Sequence, residues 1–441
     1  MEFIIAAIIP HPAAPQGLVL ADEAGWRLPT IALDHAWPLE LERLNQALGY
    51  TLGISVTVLR RVAGRFEPET RRAHMTYLLE NHSPAWEPPA HGRWVGQAAL
   101  GQLAWTVPEH HAVLAECLAE AESGLLPELR VPWARPGWLA EAQSWIAAQV
   151  TQLGTPLLAP IEQVKNWGLS CLLRAHTTGG TLYFKVAATL PLFVHEPAVM
   201  AGLAQMYPEH IPAPLCWDAL RRWMLLPDMG MVMDRHETLA ARTNMLQLFG
   251  TIQHDSARRV EELFTIGCVD RRLERLAVQI DALLQDDDAL TGLNEAEVVH
   301  FQALGPRLQT MCARLAQSSI PPALVHGDLH LKNVAVKAGR YQFFDWTDAC
   351  VTHPFLDMTT IYNEEDMTRQ TYLRDMYLTL WTSYAPMKQL LEDWALAGPL
   401  CHLHQAISYQ HIVVGLEASA QAEFRRLVPH FVRKLLRSLP L

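Results

Sequence analysis

The chain has 441 residues, half of them hydrophobic and 18% charged, which favours two or three soluble globular domains with good cores. Its net charge of −11 argues against nucleic acid and anionic membranes as main partners and is compatible with cationic small substrates. The seven cysteines are scattered without a C-x-x-C pair, which predicts mostly buried free thiols in a reducing compartment.

The first residues, MEFIIAAIIPHP, contain a short apolar run that carries Glu2 and has no basic region before it. This pattern predicts a first β-strand rather than a secretory signal peptide. No stretch of 18 apolar residues occurs, so we expect no membrane-spanning helix. The predicted location is therefore the cytoplasm.

Residues 1–124 alternate short β-like runs with two helical patterns, and they predict an α+β accessory domain. One helical pattern covers 38–49 and ends on Gly49, a residue type suited to a helix C-cap. The other covers 110–124 and also ends on a glycine. The next segment, 125–154, begins as a proline-rich linker and continues as a helix.

The pattern changes at about residue 155, where β-rich runs begin. Two runs within 171–187 flank a Gly-Gly turn and predict a β-hairpin. A short helix over 196–208 and a strand over 221–230 follow, and then the chain becomes mostly helical. We therefore expect a small β-rich lobe, a hinge near 226–231 and a larger helical lobe. The predicted domain boundaries are 1–124, 125–154, 155–228 and 229–441.

The segment LVHGDLHLKNVAV at 324–336 places an aspartate and an asparagine five residues apart between two apolar runs. Two short strands joined by a tight turn follow, and they should bring Asn333, before the first strand, close to Asp345, after the second. Asp328, Asn333 and Asp345 then offer two carboxylates and an amide carbonyl, the hard oxygen ligands that Mg²⁺ prefers. This arrangement suits phosphoryl transfer, in which one aspartate faces the acceptor hydroxyl and the other two side chains hold the metal.

The motifs HGDLHLKN and FFDW resemble the catalytic segment of the aminoglycoside phosphotransferase family, which has a protein-kinase-like fold and includes choline, homoserine and macrolide kinases. The spacing is similar to the kinase pair H-R-D-L-x-x-x-N and D-F-G, with Gly327 in place of the kinase arginine. HPFLDM follows Asp345 within 12 residues, so no long activation loop fits between them. Asp357 in HPFLDM resembles the family's later aspartate, which braces the active-site backbone. The resemblance implies a site for a small molecule rather than for a protein chain.

The resemblance also implies a role for each polar residue of the segment. Asp328 would be the catalytic base that orients the acceptor hydroxyl. Asn333 and Asp345 would hold Mg²⁺. His326 and His330 would support the loop without taking part in the chemistry.

Residues upstream match the nucleotide-binding parts of such an enzyme. A kinase-like fold needs a strand lysine for the nucleotide phosphates and a glutamate on the next helix to hold it, and Lys185 and Glu196 take these places. Asp228 in LLPDMG lies in the segment that resembles the family's hinge, where backbone groups would meet the adenine. The phosphate loop is reduced to KNWGLSCLL, in which Gly168 and Ser170 are the small residues. We expect backbone N–H groups there to face the phosphates of ATP or GTP.

Three alternatives stay open. The polar residues of 324–336 could form only a hydrogen-bonded turn. His326, Asp328 and His330 alternate and could chelate zinc in a hydrolase, although Asn333 and the later aspartate would then have no use. The reduced phosphate loop could mark a nucleotide-binding pseudokinase, a regulatory module without phosphotransfer.

Residues 1–124 faintly resemble a Nudix domain, because β-runs precede a helix ending in LGY. When the Nudix pattern G-x5-E-x7-R-E-U-x-E-E-x-G-U is laid on Gly49, the paired metal-binding glutamates fall on Gln46 and Ala47. Too few carboxylates remain for a metal cluster, so a Nudix-like domain here should be inactive in hydrolysis. The alternative is an accessory domain that binds or packs.

Taken together, the sequence predicts an α+β protein with a protein-kinase-like, two-lobed fold after an α+β N-terminal domain. Its predicted activity is Mg²⁺-dependent transfer of the γ-phosphate of ATP or GTP to a hydroxyl of a small molecule. The acidic run YNEEDM at 362–367 is compatible with a cationic acceptor and equally with a solvated helix N-terminus. We expect no nucleic-acid or membrane partner, and the sequence determines neither the acceptor nor the oligomeric state.

Overall fold

The computed structural model describes residues 2–34 and 40–439. The chain divides into two compact units, one formed by Met1–Ala188 with Leu416–Gln421 and the other by Thr189–Gly415 with Ala422–Leu441. Both units contain helices and strands, which confirms the α+β class. The finer division into four segments stays a prediction.

The first unit begins as an α+β domain and continues into a β-hairpin; elements are numbered along the whole chain. Its strands are β1 (Glu2–Ile8), β2 (Gln16–Asp22), β3 (Gly25–Arg27), β4 (Thr30–Asp34), β5 (Val56–Glu67), β6 (Arg72–Asn81), β7 (Gly92–Gly96), β8 (Glu162–Asn166), β9 (Ser170–Thr177) and β10 (Gly180–Ala187). Its helices are α1 (Leu41–Leu52), α2 (Gln97–Leu100), α3 (Pro108–Ser123), α4 (Trp138–Gln152) and α15 (Ala418–Gln421).

Two sheets form the N-terminal domain. The first has the order β4-β1-β6-β5, in which β1 is parallel to β6 and the other pairs are antiparallel. The second is antiparallel, in the order β3-β2-β7. Because β1 is apolar on both faces, it lies between two cores: α1 contributes Leu41, Leu44 and Leu48 to one, and α3 contributes Leu114 and Leu118 to the other. The resemblance of this domain to a Nudix domain stays a prediction.

Helix α1 differs from the helix predicted over 38–49, of which Pro38 and Leu39 lie outside the described residues. The helix runs through Gly49 and ends at Gly53, which has a φ of 67° and donates its N–H to the Gly49 carbonyl. The predicted cap at Gly49 is therefore wrong, because the left-handed residue that ends the helix lies one turn later. The end of α3 at a glycine is confirmed.

The predicted hairpin of 171–187 is confirmed. β9 and β10 pair antiparallel from Thr177 with Gly180 to Ser170 with Ala187, and β8 pairs with the other side of β9. Lys185 lies on β10 and its side chain is buried. The predicted linker contains a 3-10 turn, Pro132–Ala134. Its Trp133 and Ala134 are buried, so this part of the linker belongs to the hydrophobic core.

The second unit is mainly helical. Its helices are α5 (Glu196–Met206), α6 (Leu239–Ser256), α7 (Val260–Thr265), α8 (Leu273–Leu284), α9 (Asp287–Leu290), α10 (Glu295–Ala303), α11 (Gly305–Leu315), α12 (Thr359–Tyr362), α13 (Met367–Thr379), α14 (Met387–Val414) and α16 (Leu427–Ser438). Its strands are β11 (Cys216–Asp218), β12 (Trp223–Pro227), β13 (Met231–Val232), β14 (Val269–Asp270), β15 (Ala323–Val325), β16 (Val334–Lys337), β17 (Arg340–Phe343) and β18 (Cys350–Thr352).

Two small sheets in this unit position the motif residues. One has the order β13-β16-β17, and β16 and β17 form the antiparallel pair that the sequence predicts. The other has the order β14-β18-β15. Its strands have only two or three residues, too few to show a period, so the sequence gives no sign of this sheet.

Two predictions drawn from composition can be compared with the described residues. All seven cysteines are free, and five of them are buried while Cys117 and Cys216 are partly exposed. In the described part of the chain, no helix combines the length and the apolar character that crossing a membrane requires.

Candidate active site

The loop after β15 carries the first candidate carboxylate. Asp328 has a side chain that is 43% exposed, and the Nε2 atom of His330 lies 3.4 Å from its Oδ2. Asn333, at the end of a 3-10 turn, donates its side-chain N–H to the Asp328 carbonyl at 2.9 Å and lies 3.4 Å from its Oδ2. Asp328 is thus open to solvent on one side and oriented by two neighbours on the other.

The hairpin of β16 and β17 positions the second candidate carboxylate. Phe344 donates its backbone N–H to the Asn333 carbonyl at 3.1 Å, and Asp345 is the next residue. Asp345 has a φ of 64°, a left-handed conformation that non-glycine residues seldom adopt and that is concentrated at functional sites. Thr347 donates its hydroxyl to Asp345 Oδ1 at 2.7 Å. The two strands therefore bring Asn333 and Asp345 to one end of the hairpin, as the sequence predicts.

The donor set at this end fits Mg²⁺. Because the amide nitrogen of Asn333 is hydrogen-bonded to Asp328, its Oδ1 is left as the atom that could bind a cation. A carboxylate and an amide carbonyl are hard oxygen ligands, and Mg²⁺ is usually held by few protein groups together with water and phosphate.

The zinc interpretation has no support from the geometry. Among residues 2–34 and 40–439, no group of three or more His, Cys, Asp or Glu side chains is arranged to hold a metal ion. His326, one of the proposed zinc ligands, is fully buried and has its Nε2 hydrogen-bonded to the Phe344 carbonyl at 2.9 Å.

Asp357 braces the backbone just before Asp328. Its Oδ2 accepts the N–H of His326 at 2.7 Å and its Oδ1 accepts the N–H of Gly327 at 3.0 Å. The side chain is almost completely buried, and this burial raises its pKa to about 7 although the two N–H bonds act in the opposite direction. The carboxylate therefore fixes two consecutive peptide groups of the loop.

Three further residues hold the same loop, and sequence reasoning missed them. Gln405 on α14 donates its side-chain N–H to the Gly327 carbonyl at 2.7 Å. Gln253 on α6 places its Nε2 3.4 Å from Asp357 Oδ2, and its Oε1 accepts the hydroxyl of Tyr377 on α13 at 2.6 Å. They lie on helices remote in sequence and belong to no motif, so only tertiary structure could identify them.

Gly327 is required by the backbone path of the loop. Its φ is 84°, and a Cβ built there would lie 2.7 Å from the Asp348 Cβ and still closer to the Asp348 carbonyl oxygen. Any L side chain would be strained at this φ and would also meet backbone. The arginine that protein kinases carry at this position would not fit this loop.

The two histidines of the motif shape the loop in different ways. Burial lowers the pKa of His326, and its Nε2 must donate to the Phe344 carbonyl because a carbonyl only accepts. Its ring lies against Trp346, with centroids 4.5 Å apart. For His330, burial acts against the charged form, but the hydrogen bond and charge of Asp328 outweigh it and raise the pKa.

The predicted nucleotide residues of the first unit lie on β10 and at the turn before β9. Lys185 is buried on β10. A Cβ at Gly168 would lie 2.9 Å from the Ala420 Cβ, so the close approach of Leu416–Gln421 accounts for the glycine. Ser170 accepts a hydrogen bond at its Oγ from the indole N–H of Trp167 at 2.7 Å. The nucleotide-binding roles of Gly168, Ser170 and Lys185 stay predictions.

The other two predicted residues belong to the second unit. Glu196 is the first residue of α5, is buried, and accepts the backbone N–H of Trp346 at 3.2 Å. Asp228 follows β12, and its carbonyl accepts the ammonium of Lys337 at 2.6 Å. Glu196 thus helps to hold the residue after Asp345, while its expected pairing with Lys185 stays a prediction.

The comparison with known families agrees with these motifs. The model of the phosphotransferase enzyme family (APH) matches residues 173–391. These residues belong to that family. The matched stretch of the phosphotransferase family includes Lys185, Glu196, Asp328, Asn333 and Asp345. Outside the matched stretch lie the turn at Gly168 and Ser170, the whole N-terminal domain, and Gln405. A search of curated proteins finds no match.

Solved structures of phosphotransferases are similar to parts of the chain. An aminoglycoside 2′-phosphotransferase-IIIa in a GDP complex is 10% identical, with a TM-score of 0.48 over 68% of this chain and 96% of its own. A choline kinase from Streptococcus pneumoniae is 12% identical, with a TM-score of 0.47 over 67% of this chain and 99% of its own. A spectinomycin phosphotransferase in complex with ADP and spectinomycin is 9% identical, with a TM-score of 0.46 over 67% of this chain and 98% of its own.

Proposed function

We propose that this protein is a Mg²⁺-dependent kinase that transfers the γ-phosphoryl group of ATP or GTP to a hydroxyl of a small molecule. The observation that carries the proposal is the pair of Asp328 and Asn333, joined by a hydrogen bond, with Asp345 at the end of the adjoining hairpin. The phosphotransferase match over 173–391 supports the reaction class.

Asp328 is the proposed catalytic base. Its carboxylate is partly exposed and lies on a loop held by Asp357 and Gln405, so its position is fixed before an acceptor binds. It would accept a hydrogen bond from the acceptor hydroxyl and take its proton as the bond to phosphorus forms. His330 beside it would restrict the rotation of the carboxylate.

Asn333 and Asp345 are the proposed Mg²⁺ ligands, and Lys185 is the proposed ligand of the nucleotide phosphates. The bound ion would neutralise charge on the phosphate oxygens during transfer. Thr347 and the backbone of Trp346 hold the Asp345 segment in its strained conformation, which keeps the carboxylate in one orientation. The acceptor is proposed to be a hydroxylated small molecule, with cationic compounds as one class.

The first test is turnover with ATP and GTP against a panel of hydroxylated metabolites and antibiotics. We expect Asp328→Asn to lower kcat by about 10³-fold, because general-base catalysis contributes 10²–10⁴-fold, while nucleotide affinity stays within about twofold. Asp288→Asn is the matched control, since it removes one carboxylate charge from an exposed position on α9. Undiminished turnover in Asp328→Asn would contradict the assignment.

The second test separates a kinase from a nucleotide-binding module without phosphotransfer. Thermal shifts with ATP or GTP should require Mg²⁺ if Asn333 and Asp345 hold the ion, since a ligand that binds the native state stabilises it by mass action. Asp345→Asn should abolish the Mg²⁺ dependence. Nucleotide binding without turnover on any acceptor, in the presence of Mg²⁺, would favour the pseudokinase alternative.

A further inference from the structure

The turn Trp167–Ser170 between β8 and β9 is closed by two hydrogen bonds between its ends. The Trp167 backbone N–H donates to the Ser170 carbonyl at 3.2 Å, and the Trp167 indole N–H donates to the Ser170 Oγ at 2.7 Å. An indole nitrogen only donates, so the Ser170 oxygen must be the acceptor in the second bond. The hydroxyl hydrogen of Ser170 is therefore directed away from Trp167 and is available to an acceptor elsewhere.

Trp167 is itself held from two directions. The indole N–H of Trp133 donates to the Trp167 carbonyl at 2.7 Å. The ammonium of Lys165 lies 3.5 Å from the centroid of the Trp167 ring, within the range of a cation–π contact. Trp167, which orients Ser170, is therefore held both at its backbone carbonyl and at one face of its ring.

Trp133 is connected to the N-terminal domain through hydrogen bonds of Asn166. Trp133 is buried, and its carbonyl accepts the side-chain N–H of Asn166 at 3.3 Å. Asn166 also donates to the Val58 carbonyl at 2.8 Å, while Gln163 both donates to that carbonyl and accepts the Val58 N–H. Val58 borders an irregularity in the pairing of β5 with β6. The irregularity leaves backbone groups that the two amide side chains of β8 can bond.

A second support comes from the segment Leu416–Gln421, which packs against Gly168 in the turn. Arg130 holds this segment: it bonds Glu417 on one side and Glu120 on the other, and Arg60 also bonds Glu120 at 3.0 Å. The side chain of Arg130 is only 2% exposed. A buried guanidinium between two carboxylates is a costly arrangement unless all members stay paired, so the segment is held in one place.

We propose that Trp167 is a positioning residue for nucleotide binding: its indole N–H directs the Ser170 hydroxyl to donate to a nucleotide phosphate oxygen, and the N-terminal domain holds Trp167 in place. This inference rests on the proposed kinase function. It gives the N-terminal domain, Trp133 and the segment Leu416–Gln421, all of which lie outside the family match over 173–391, an indirect part in nucleotide binding.

The test is a double-mutant cycle on the full chain, read by equilibrium titration with MgATP and MgADP. Trp167→Phe keeps an aromatic ring under Lys165 and removes only the indole N–H. We expect it to weaken nucleotide affinity by about fivefold, in line with the loss of one oriented hydrogen bond, and to leave kcat at saturating nucleotide within about twofold. Ser170→Ala should weaken affinity to a similar degree.

The coupling between the two substitutions decides the proposal. If Trp167 acts through Ser170, then Trp167→Phe should have no further effect in the Ser170→Ala background. Trp105→Phe is the control, because it removes an equivalent indole N–H bond, to the Leu100 carbonyl, within the N-terminal domain. Additive losses in the double variant, or an unchanged affinity in Trp167→Phe, overturn the proposal.

Hydrogen exchange gives a second measurement that does not depend on turnover. Trp133→Phe should speed amide exchange in a peptide covering 165–171 and weaken MgADP binding, and Glu122→Gln, on an exposed part of α3, should change neither. Unchanged exchange in Trp133→Phe contradicts the support that Trp133 gives to the turn. If the wild-type protein binds neither ATP nor GTP, the kinase function fails and this inference with it; if it binds and turns over while Trp167→Phe behaves as wild type, only this inference fails.

Discussion

The proposed catalytic loop, His326–Asn333, and the proposed phosphate turn, Trp167–Ser170, are both held by buried or partly buried side chains, but the supporting residues have different origins. The catalytic loop is braced by Asp357 and Gln405, from the same helical unit. The proposed phosphate turn is braced by a hydrogen bond from Trp133, in the linker, and by packing of the segment Leu416–Gln421, near the C-terminus, against Gly168.

The two regions differ in whether the residues that support them lie inside the stretch that matches the phosphotransferase family. The loop that carries the proposed catalytic base is supported mostly from within the residues that match the phosphotransferase family. The turn proposed for the phosphates lacks the usual run of glycines, and residues outside the match hold it instead. In the proposed phosphate turn, these contacts would take the place of the glycine run in holding the backbone.

The largest effect should come from the backbone of the catalytic loop. Gly327→Ala forces a side chain into a φ of 84° and against Asp348, and we expect a loss of about 3 kcal/mol of stability, combining strain of about 1–2 kcal/mol with the clash, and a fall in kcat of at least about 10²-fold. Gly339→Ala separates the two causes, because Gly339 has a φ of 77° but nothing within 4 Å of an added Cβ. Thermal melting and turnover check both variants; equal losses in the two would mean that the Asp348 contact is unimportant.

The next effect should come from the ion network beside the phosphate turn. Arg130→Met leaves Glu120 and Glu417 without their shared cation, and we expect a loss of about 2–3 kcal/mol, somewhat below the value for fully buried pairs because both carboxylates are partly exposed. Arg340→Met breaks an ion pair with Glu209 in which both side chains are mostly exposed, and it should cost about 0–1 kcal/mol. Denaturant titration measures both; similar values for the two variants would show that burial of Arg130 does not matter.

A smaller effect should come from Asp357. Asp357→Asn keeps the shape but leaves one of the two N–H groups of His326 and Gly327 without an acceptor, at a cost of about 1–3 kcal/mol. We expect kcat to fall more than nucleotide affinity, because the loop carries Asp328. Steady-state kinetics with saturating nucleotide test this, and a change in nucleotide affinity alone would contradict it.

The stability of the protein should depend on pH because of the carboxyl group of Asp357. Because the pKa of Asp357 is about 7 in the folded protein and lower when unfolded, the native state binds the extra proton between about pH 4 and 7. Its contribution to stability is thus present at low pH and is lost as pH rises to 7. The melting temperature of wild type relative to Asp357→Asn should fall over this range and level off above it; a parallel pair of curves would refute the raised pKa.

The smallest effect should be at the phosphate turn itself. Gly168→Ala adds a methyl group 2.9 Å from the Ala420 Cβ without a left-handed φ, so we expect about 1 kcal/mol of overpacking and a loss of nucleotide affinity of a few-fold. Displacement of Leu416–Gln421 should appear as faster amide exchange in that segment. A stability loss as large as that of Gly327→Ala would contradict the expectation that the turn tolerates an added methyl group better than the loop does.

The sequence predicted the parts of the molecule whose signals are local. The hairpin of β9 and β10, the strand pair after Asn333 and the glycine end of α3 follow from turn residues and from runs of apolar residues. The end of α1 was misplaced because two glycines, Gly49 and Gly53, lie one turn apart and only the backbone conformation distinguishes them.

What the sequence predicted by itself is the set of candidate site residues: Asp328, Asn333 and Asp345 stand at spacings that are typical of phosphoryl transfer, and their motifs extend over adjacent residues. Tertiary structure alone decided how those groups are held. Gln405 on α14 bonds the Gly327 carbonyl of the loop, and Gln253 on α6, itself bonded to Tyr377 on α13, lies against the Asp357 carboxylate that braces the loop. Near Trp167, the bond from Asn166 to the Val58 carbonyl joins residues 108 positions apart in the chain. The physical reason is that a hydrogen bond between residues far apart in sequence depends on distance in space, which no local spacing records.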